Sequence, residues 1–221
     1  MSEAPTSGAG RLLTGAAWAA LLLALWLWGR DITEVPLGVS PTTGDVAAVG
    51  RPAGEALPPP HQPLPTARPE RLTIKATHVR AVVEEHGLNR AGAVEPPPYD
   101  RAATVAWYRD GPAPGAPGPA VLVGHLDTDR APGVFYELGT LRRGQKIGVD
   151  RADGSTAEFT VEDVSVFTKD RFDAAKVYGP REQGRAELRL ITCGGDYDRA
   201  RRSYSANIVV SAYLTGVSRS G

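Results

Sequence analysis

The one cysteine of this 221-residue chain, Cys193, and one of its four histidines, His125, stand in similar settings. Each follows an apolar run of strand length: Ala120-Val121-Leu122-Val123 delivers Gly124-His125, and Leu188-Arg189-Leu190-Ile191-Thr192 delivers Cys193. A thiol and an imidazole placed where a sheet gives way to loops are what acyl transfer through a thioester needs. A single thiol excludes an internal disulfide and a multi-cysteine zinc site, and is either a small core hydrophobe or a reactive group. Gly194-Gly195 beside it removes bulk and lets a substrate backbone approach, which a packed core thiol would not use. Arg199, Arg201 and Arg202 follow. An arginine cannot act as a base, but it can stabilise a thiolate or a developing oxyanion. His61 lies in a Pro-rich stretch and His78 and His86 in ordinary polar surroundings. Asp127 and Asp129 could suggest a cation, but a turn accounts for them, so neither a metal nor a cofactor is expected.

Short strands must hold these groups. The 25 glycines and 19 prolines are well above the usual share of about 12%, which favours turns over long helices. Alternation or apolar runs predict strands at residues 71–75, 79–83, 104–108, 120–123, 146–149, 157–161, 163–167, 186–192 and 208–214. Asp153-Gly154 predicts a tight hairpin, and a helical turn fits between Asp170 and Tyr178. The expected architecture is an all-β closed barrel with short helices.

Upstream, the apolar stretch Leu12–Trp28, with tryptophans at its far end, is just long enough to cross a bilayer. No small-x-small cleavage site follows it, so residues 12–29 are read as a retained signal-anchor, with residues 1–11 as a cytoplasmic flank. Residues 30–70, with Pro58-Pro59-Pro60 and further prolines at 63, 65 and 69, are read as a flexible tether. The catalytic domain is expected over 71–216, with a tail at 217–221. A formal net charge of zero makes a nucleic-acid partner improbable.

Several motifs in order resemble the sortases. Leu190-Ile191-Thr192-Cys193 is similar to their nucleophile strand, and Val121-Leu122-Val123-Gly124-His125-Leu126-Asp127 to their catalytic-histidine segment. Trp107-Tyr108 with the following Gly/Pro loop, GHLDT at 124–128, and TCGGDYDR at 192–199 with Tyr204 and Asn207 resemble class F sortases of high-GC Gram-positive bacteria. The resemblance covers residues 71–216. It implies an eight-stranded barrel outside the cytoplasmic membrane that cleaves a Leu-Pro-x-Thr-Gly-like sorting signal through an acyl-thioester and transfers it to a peptidoglycan-precursor amine. Cys193 would then attack, His125 would move the proton, and Arg199 would stabilise the oxyanion or orient the peptide. Arg202 is the second choice for that role, and Thr192 and Asn207 are polar contributors. L,D-transpeptidases carry a Ser-His-Gly-Cys cluster absent here, and NlpC/P60 peptidases place Cys before His. The remaining alternative is a non-catalytic envelope barrel that binds peptide or glycan.

Overall fold

Apolar residues at every second position turn one face of each strand inward, and the strands curl round that face. In the computed structural model, which describes residues 56–171, 173–200 and 203–219, eight strands close a barrel. They are β1 (Pro69–Ile74), β2 (Val79–His86), β3 (Val105–Tyr108), β4 (Gly118–Val123), β5 (Lys146–Arg151), β6 (Ser155–Thr168), β7 (Ala186–Asp198) and β8 (Ser203–Arg219). Their order round the barrel is β1-β2-β3-β4-β7-β8-β6-β5. Closure leaves no strand edge open to another chain. The β2–β3 and β4–β7 pairs are parallel and the others antiparallel. Leu72, Ile74, Leu122, Ile147, Phe159, Leu188, Leu190 and Leu214 fill the interior. Each such side chain contributes roughly 1.5–3 kcal/mol on burial, so this cluster holds the fold. The single described α-helix, α1 (Ala174–Tyr178), is capped by Asp173 and has only five residues, too few to be stable alone.

Every segment expected as a strand lies in one, but the two expected at 157–161 and 163–167 form a single strand, β6, whose pairing with β8 shifts register between Val161 and Asp163. Asp153-Gly154 makes the β5–β6 turn, with Gly154 at φ 75°. Two boundaries differ. The tail residues 217–219 continue β8, paired with Ser155 to Ala157 of β6. At the other end, β1 opens at Pro69, and the chain already engages the barrel well before it. Tyr213 Oη donates to the Pro58 carbonyl (2.7 Å), His61 N–H to Leu214 O (2.9 Å) and Leu64 N–H to Gly115 O (2.7 Å). Buried Arg151 donates to the Pro65 carbonyl. Residues 58–69 of the expected tether therefore lie against the domain. Prolines lack a donor but keep a carbonyl, and here the carbonyls of Pro58 and Pro65 are what the barrel binds. The proposed anchor, residues 12–29, lies outside the described residues. Among the described residues no helix is long and apolar enough to cross a membrane.

Candidate active site

His125 and Cys193 are brought together by one pairing. β4 and β7 run parallel, with Val121 opposite Arg189 and Val123 opposite Ile191. The ladder extends one bond further, Gly124 N–H to Ile191 O at 3.1 Å. His125 and Cys193 are each two residues beyond the last paired positions, on neighbouring strands. On β7, alternation turns Cys193 to the outer face, while the imidazole of His125, past the end of β4, is placed by its contacts with Pro97 and Tyr99. Ala120, Leu122, Leu188 and Leu190 point into the core, whereas Val121, Val123 and Ile191 belong to a second apolar cluster, with Val94, Val177 and Val209, outside the barrel. Cys193 continues that outer row and is exposed.

Asn207 is the cross-strand partner of Cys193 in the β7–β8 register, so its amide shares that outer face beside the thiol. Thr192 points the other way: its hydroxyl is buried and has no hydrogen-bond partner among the described residues. The Thr192 hydroxyl therefore does not share the outer face with the thiol. Arg199 lies exposed in the turn between β7 and β8, and Arg202 lies outside the described residues.

Among the described residues, the charges that act on the thiol are those of Lys169 and Asp127. Although the Cys193 side chain reaches solvent, the protein packed round it desolvates the sulfur and pushes the thiol up from its ordinary range, Lys169 draws it down, and Asp127 pushes it up. Lys169 follows the end of β6 and donates from Nζ to Ser203 Oγ at 3.0 Å. With the thiol raised, its resting form at neutral pH is S–H, and a proton acceptor is needed to make the nucleophile. Lys169→Met is expected to slow alkylation of Cys193 by iodoacetamide at pH 8 by about twofold or more and to move the alkaline limb to higher pH. Intact mass against time measures this, and unchanged rates would remove Lys169 from the site.

Asp127 is held by Tyr204, whose hydroxyl donates to its carboxylate. That hydrogen bond, with burial and the negative charges nearby, pushes Tyr204 up to about 12. The contact ties the loop carrying His125 to β8, and Tyr197 packs tilted on Tyr204 with centroids 5.0 Å apart. Asp127 also bridges Pro132, and the Thr128 N–H bonds Ala131 O, which makes the segment a turn. On the other side of the imidazole, Nε2 lies 2.6 Å from the Pro97 carbonyl, and Tyr99 stacks on the ring with centroids 4.6 Å apart.

The glycines here serve packing. A Cβ on Gly124 would sit 2.6 Å from Val134 and 2.7 Å from Phe135, and one on Gly133 would meet the His125 carbonyl at 2.4 Å. The Gly194-Gly195 pair was expected to open space for substrate. Instead, added Cβ atoms would strike Ile208 at 2.6 Å and Ser205 at 2.5 Å, so the pair lets β8 close on β7.

Upstream of the thiol the outer face is bounded by the β6–β7 connection, which a buried ionic network fixes to β7. Glu187, fully buried, accepts from the backbone N–H of Arg181 (3.1 Å) and Glu182 (3.0 Å), from Arg185 (3.0 Å) and from Arg189 (2.6 Å). Arg189 also donates to the Val177 and Gly179 carbonyls, satisfying the C-terminal end of α1. Further along this face a cavity of ≈ 250 Å³ is lined by residues including Leu88, Val94, Tyr108, Val121 and Tyr178. Together these features make an extended apolar face leading to the thiol, with His125 just past the end of the neighbouring strand. Lys169, Pro97 and Tyr99 were not foreseen as parts of it. The Pro96-Pro97-Pro98 run marks in the sequence only the end of a strand, not where the segment lies.

Comparison with known proteins agrees with the fold. Solved structures with the same fold include sortase C-1 from Actinomyces oris (21% identity, 66% of this chain and 73% of that one, TM-score 0.51). Others are sortase A from Listeria monocytogenes (18%, 70% and 92%, 0.51) and the sortase SrtA from Actinomyces oris (16%, 76% and 90%, 0.52). No curated protein matches the sequence. The sortase domain model matches residues 72–215, from β1 to β8 and through both His125 and Cys193, and on that match the chain belongs to the sortase family.

Proposed function

We propose that this chain is a cysteine transpeptidase of the class F type that cleaves a Leu-Pro-x-Thr-Gly-like sorting signal and passes the acyl group to a cell-wall amine. The observation that supports it most is the parallel β4–β7 pairing, which carries the chain to His125 and to Cys193 at the same level, each two residues past the last paired position of adjacent strands. In this reading Cys193 attacks the threonine carbonyl after losing its proton to His125, and the imidazolium protonates the departing amine. The thioester is then opened by the incoming amine, whose proton His125 takes. The Asn207 amide, directly across from Cys193, is suited to donate to the oxyanion, and Lys169 supplies positive charge nearby. Arg199, at the exposed end of the hairpin, is suited to orienting the peptide. Residues 12–29 anchor the chain with its catalytic domain outside the cytoplasmic membrane. No cofactor takes part in this scheme.

The test is to incubate the full chain with Leu-Pro-x-Thr-Gly peptides and follow intact mass without an added amine. The expected result is a hydroxylamine-labile adduct equal to the peptide portion up to threonine. A folded protein that gives no adduct across related pentapeptides, yet binds them, would instead be a non-catalytic envelope barrel.

A further inference from the structure

The β2–β3 connection does more than join two strands. It carries Pro96-Pro97-Pro98-Tyr99 across His125. A carbonyl oxygen can only accept, so the 2.6 Å contact between Nε2 and the buried Pro97 carbonyl is a hydrogen bond only when Nε2 carries the proton. The acceptor is rigid. Pyrrolidine rings fix φ at Pro96, Pro97 and Pro98, and the proline that follows Pro97 keeps Pro97 itself extended. Both ends of the segment are tied down. Glu95 N–H bonds Gly87 O at 3.0 Å, and Arg101 bonds Glu84 at 2.6 Å. Val134 N–H bonds Ala102 O at 2.9 Å, which joins this connection to the loop after His125. Tyr99 is 73% exposed, and its ring lies 25° from parallel with the imidazole. A large aromatic so exposed gains little from core burial, and the imidazole is the ring it rests on.

We propose that Pro97 and Tyr99 are positioning residues that hold His125 as the Nε2–H tautomer, leaving Nδ1 to exchange protons with Cys193 and the substrate amine. This rests on His125 being the proton-transfer group. Nδ1 takes the Cys193 proton, giving a thiolate and an imidazolium whose Nε2–H stays on Pro97. Nδ1–H then goes to the leaving nitrogen as the C–N bond breaks, and Nδ1 is free to take a proton from the incoming amine. The fixed carbonyl stabilises the imidazolium as a carboxylate does in other nucleophile–histidine pairs, but without adding a negative charge beside the thiolate.

Long-range ¹H–¹⁵N correlation spectra of the full chain, recorded where the imidazole is neutral, report the tautomer directly. The expected His125 pattern is a pyridine-type Nδ1 and a pyrrole-type Nε2. A pyrrole-type Nδ1, or averaged nitrogens, would overturn the proposal. Tyr99→Ala should lower kcat about tenfold with little change in KM and average the two nitrogens, while Tyr99→Phe should keep both parent values. Parent kinetics in Tyr99→Ala, or a Phe variant as poor as Ala, would remove Tyr99 from this role. The spectra stand apart from peptide turnover. A chain with the expected tautomer but no acyl adduct fails the transpeptidase reading alone, and an active chain with the other tautomer fails only this one.

Discussion

Cys193→Ala should give no acyl adduct and no peptide turnover above background, and His125→Gln should cut kcat/KM by roughly 10²–10⁴ while leaving the fold intact. The two effects have different causes. Alanine removes the only sulfur nucleophile in the chain. Glutamine keeps much of the shape of the imidazole but cannot shuttle a proton, and the thiol, raised by burial, is mostly protonated at neutral pH. His125→Gln should therefore regain part of its rate as the pH is raised and the thiolate forms unaided, whereas Cys193→Ala should not. A fluorogenic sorting-signal peptide assayed from pH 6 to 10 measures both. A His125→Gln variant within tenfold of the parent at pH 7 would mean that the imidazole is not the proton acceptor.

The second large effect is on stability. Glu187→Ala leaves Arg189 buried without its carboxylate and frees the backbone N–H groups of Arg181 and Glu182. Breaking a buried pair from one side costs about 3–5 kcal/mol, which for a domain of this size lowers Tm by roughly 10 °C. Burial alone would raise the Glu187 carboxyl, but the hydrogen bonds from Arg181, Arg189 and Glu182 outweigh it and hold the carboxyl below its ordinary 4.5. A depressed folded-state value means the unfolded chain takes up the proton first as pH falls. The stabilisation from Glu187 is thus complete above about pH 4.5 and is lost through the acid range below it. Urea melts from pH 7 to 3 should show the parent losing stability in that window and Glu187→Gln losing less. Parallel curves would show that the network does not couple to pH.

Much of the barrel was legible because alternation of apolar residues is a local signal, and residues 71–75, 157–161 and 186–192 carry it plainly. His125 and Cys193 were legible for a related reason, since each ends such a run. What alternation cannot convey is which outward residues meet another segment. Glu187 and Arg189 occupy outward positions of β7 where a charged residue ordinarily meets water. They are buried because the β6–β7 connection folds over them. Pro97 and Tyr99 are 28 and 26 positions from His125, and a backbone carbonyl bears no mark of its acceptor role in the sequence. Gly194-Gly195 looked like access for a substrate because glycine records only that a side chain is absent, not which neighbour excludes it. The local arginines stand out in the sequence as the source of positive charge, while among the described residues it is Lys169, arriving from β6, that lowers the thiol.

The hydrogen bonds that tie Pro58, His61, Leu64 and Pro65 to the domain also bear on where the proposed enzyme can work. With residues 12–29 as anchor, the spacer is residues 30–57 instead of 30–70, and at no more than about 3.6 Å per residue its ceiling falls from about 150 Å to about 100 Å. On the proposed anchoring and substrate, the thiol is thereby confined to a thinner shell above the lipid, which takes in a sorting signal still emerging from the membrane and leaves out one already carried deep into the wall.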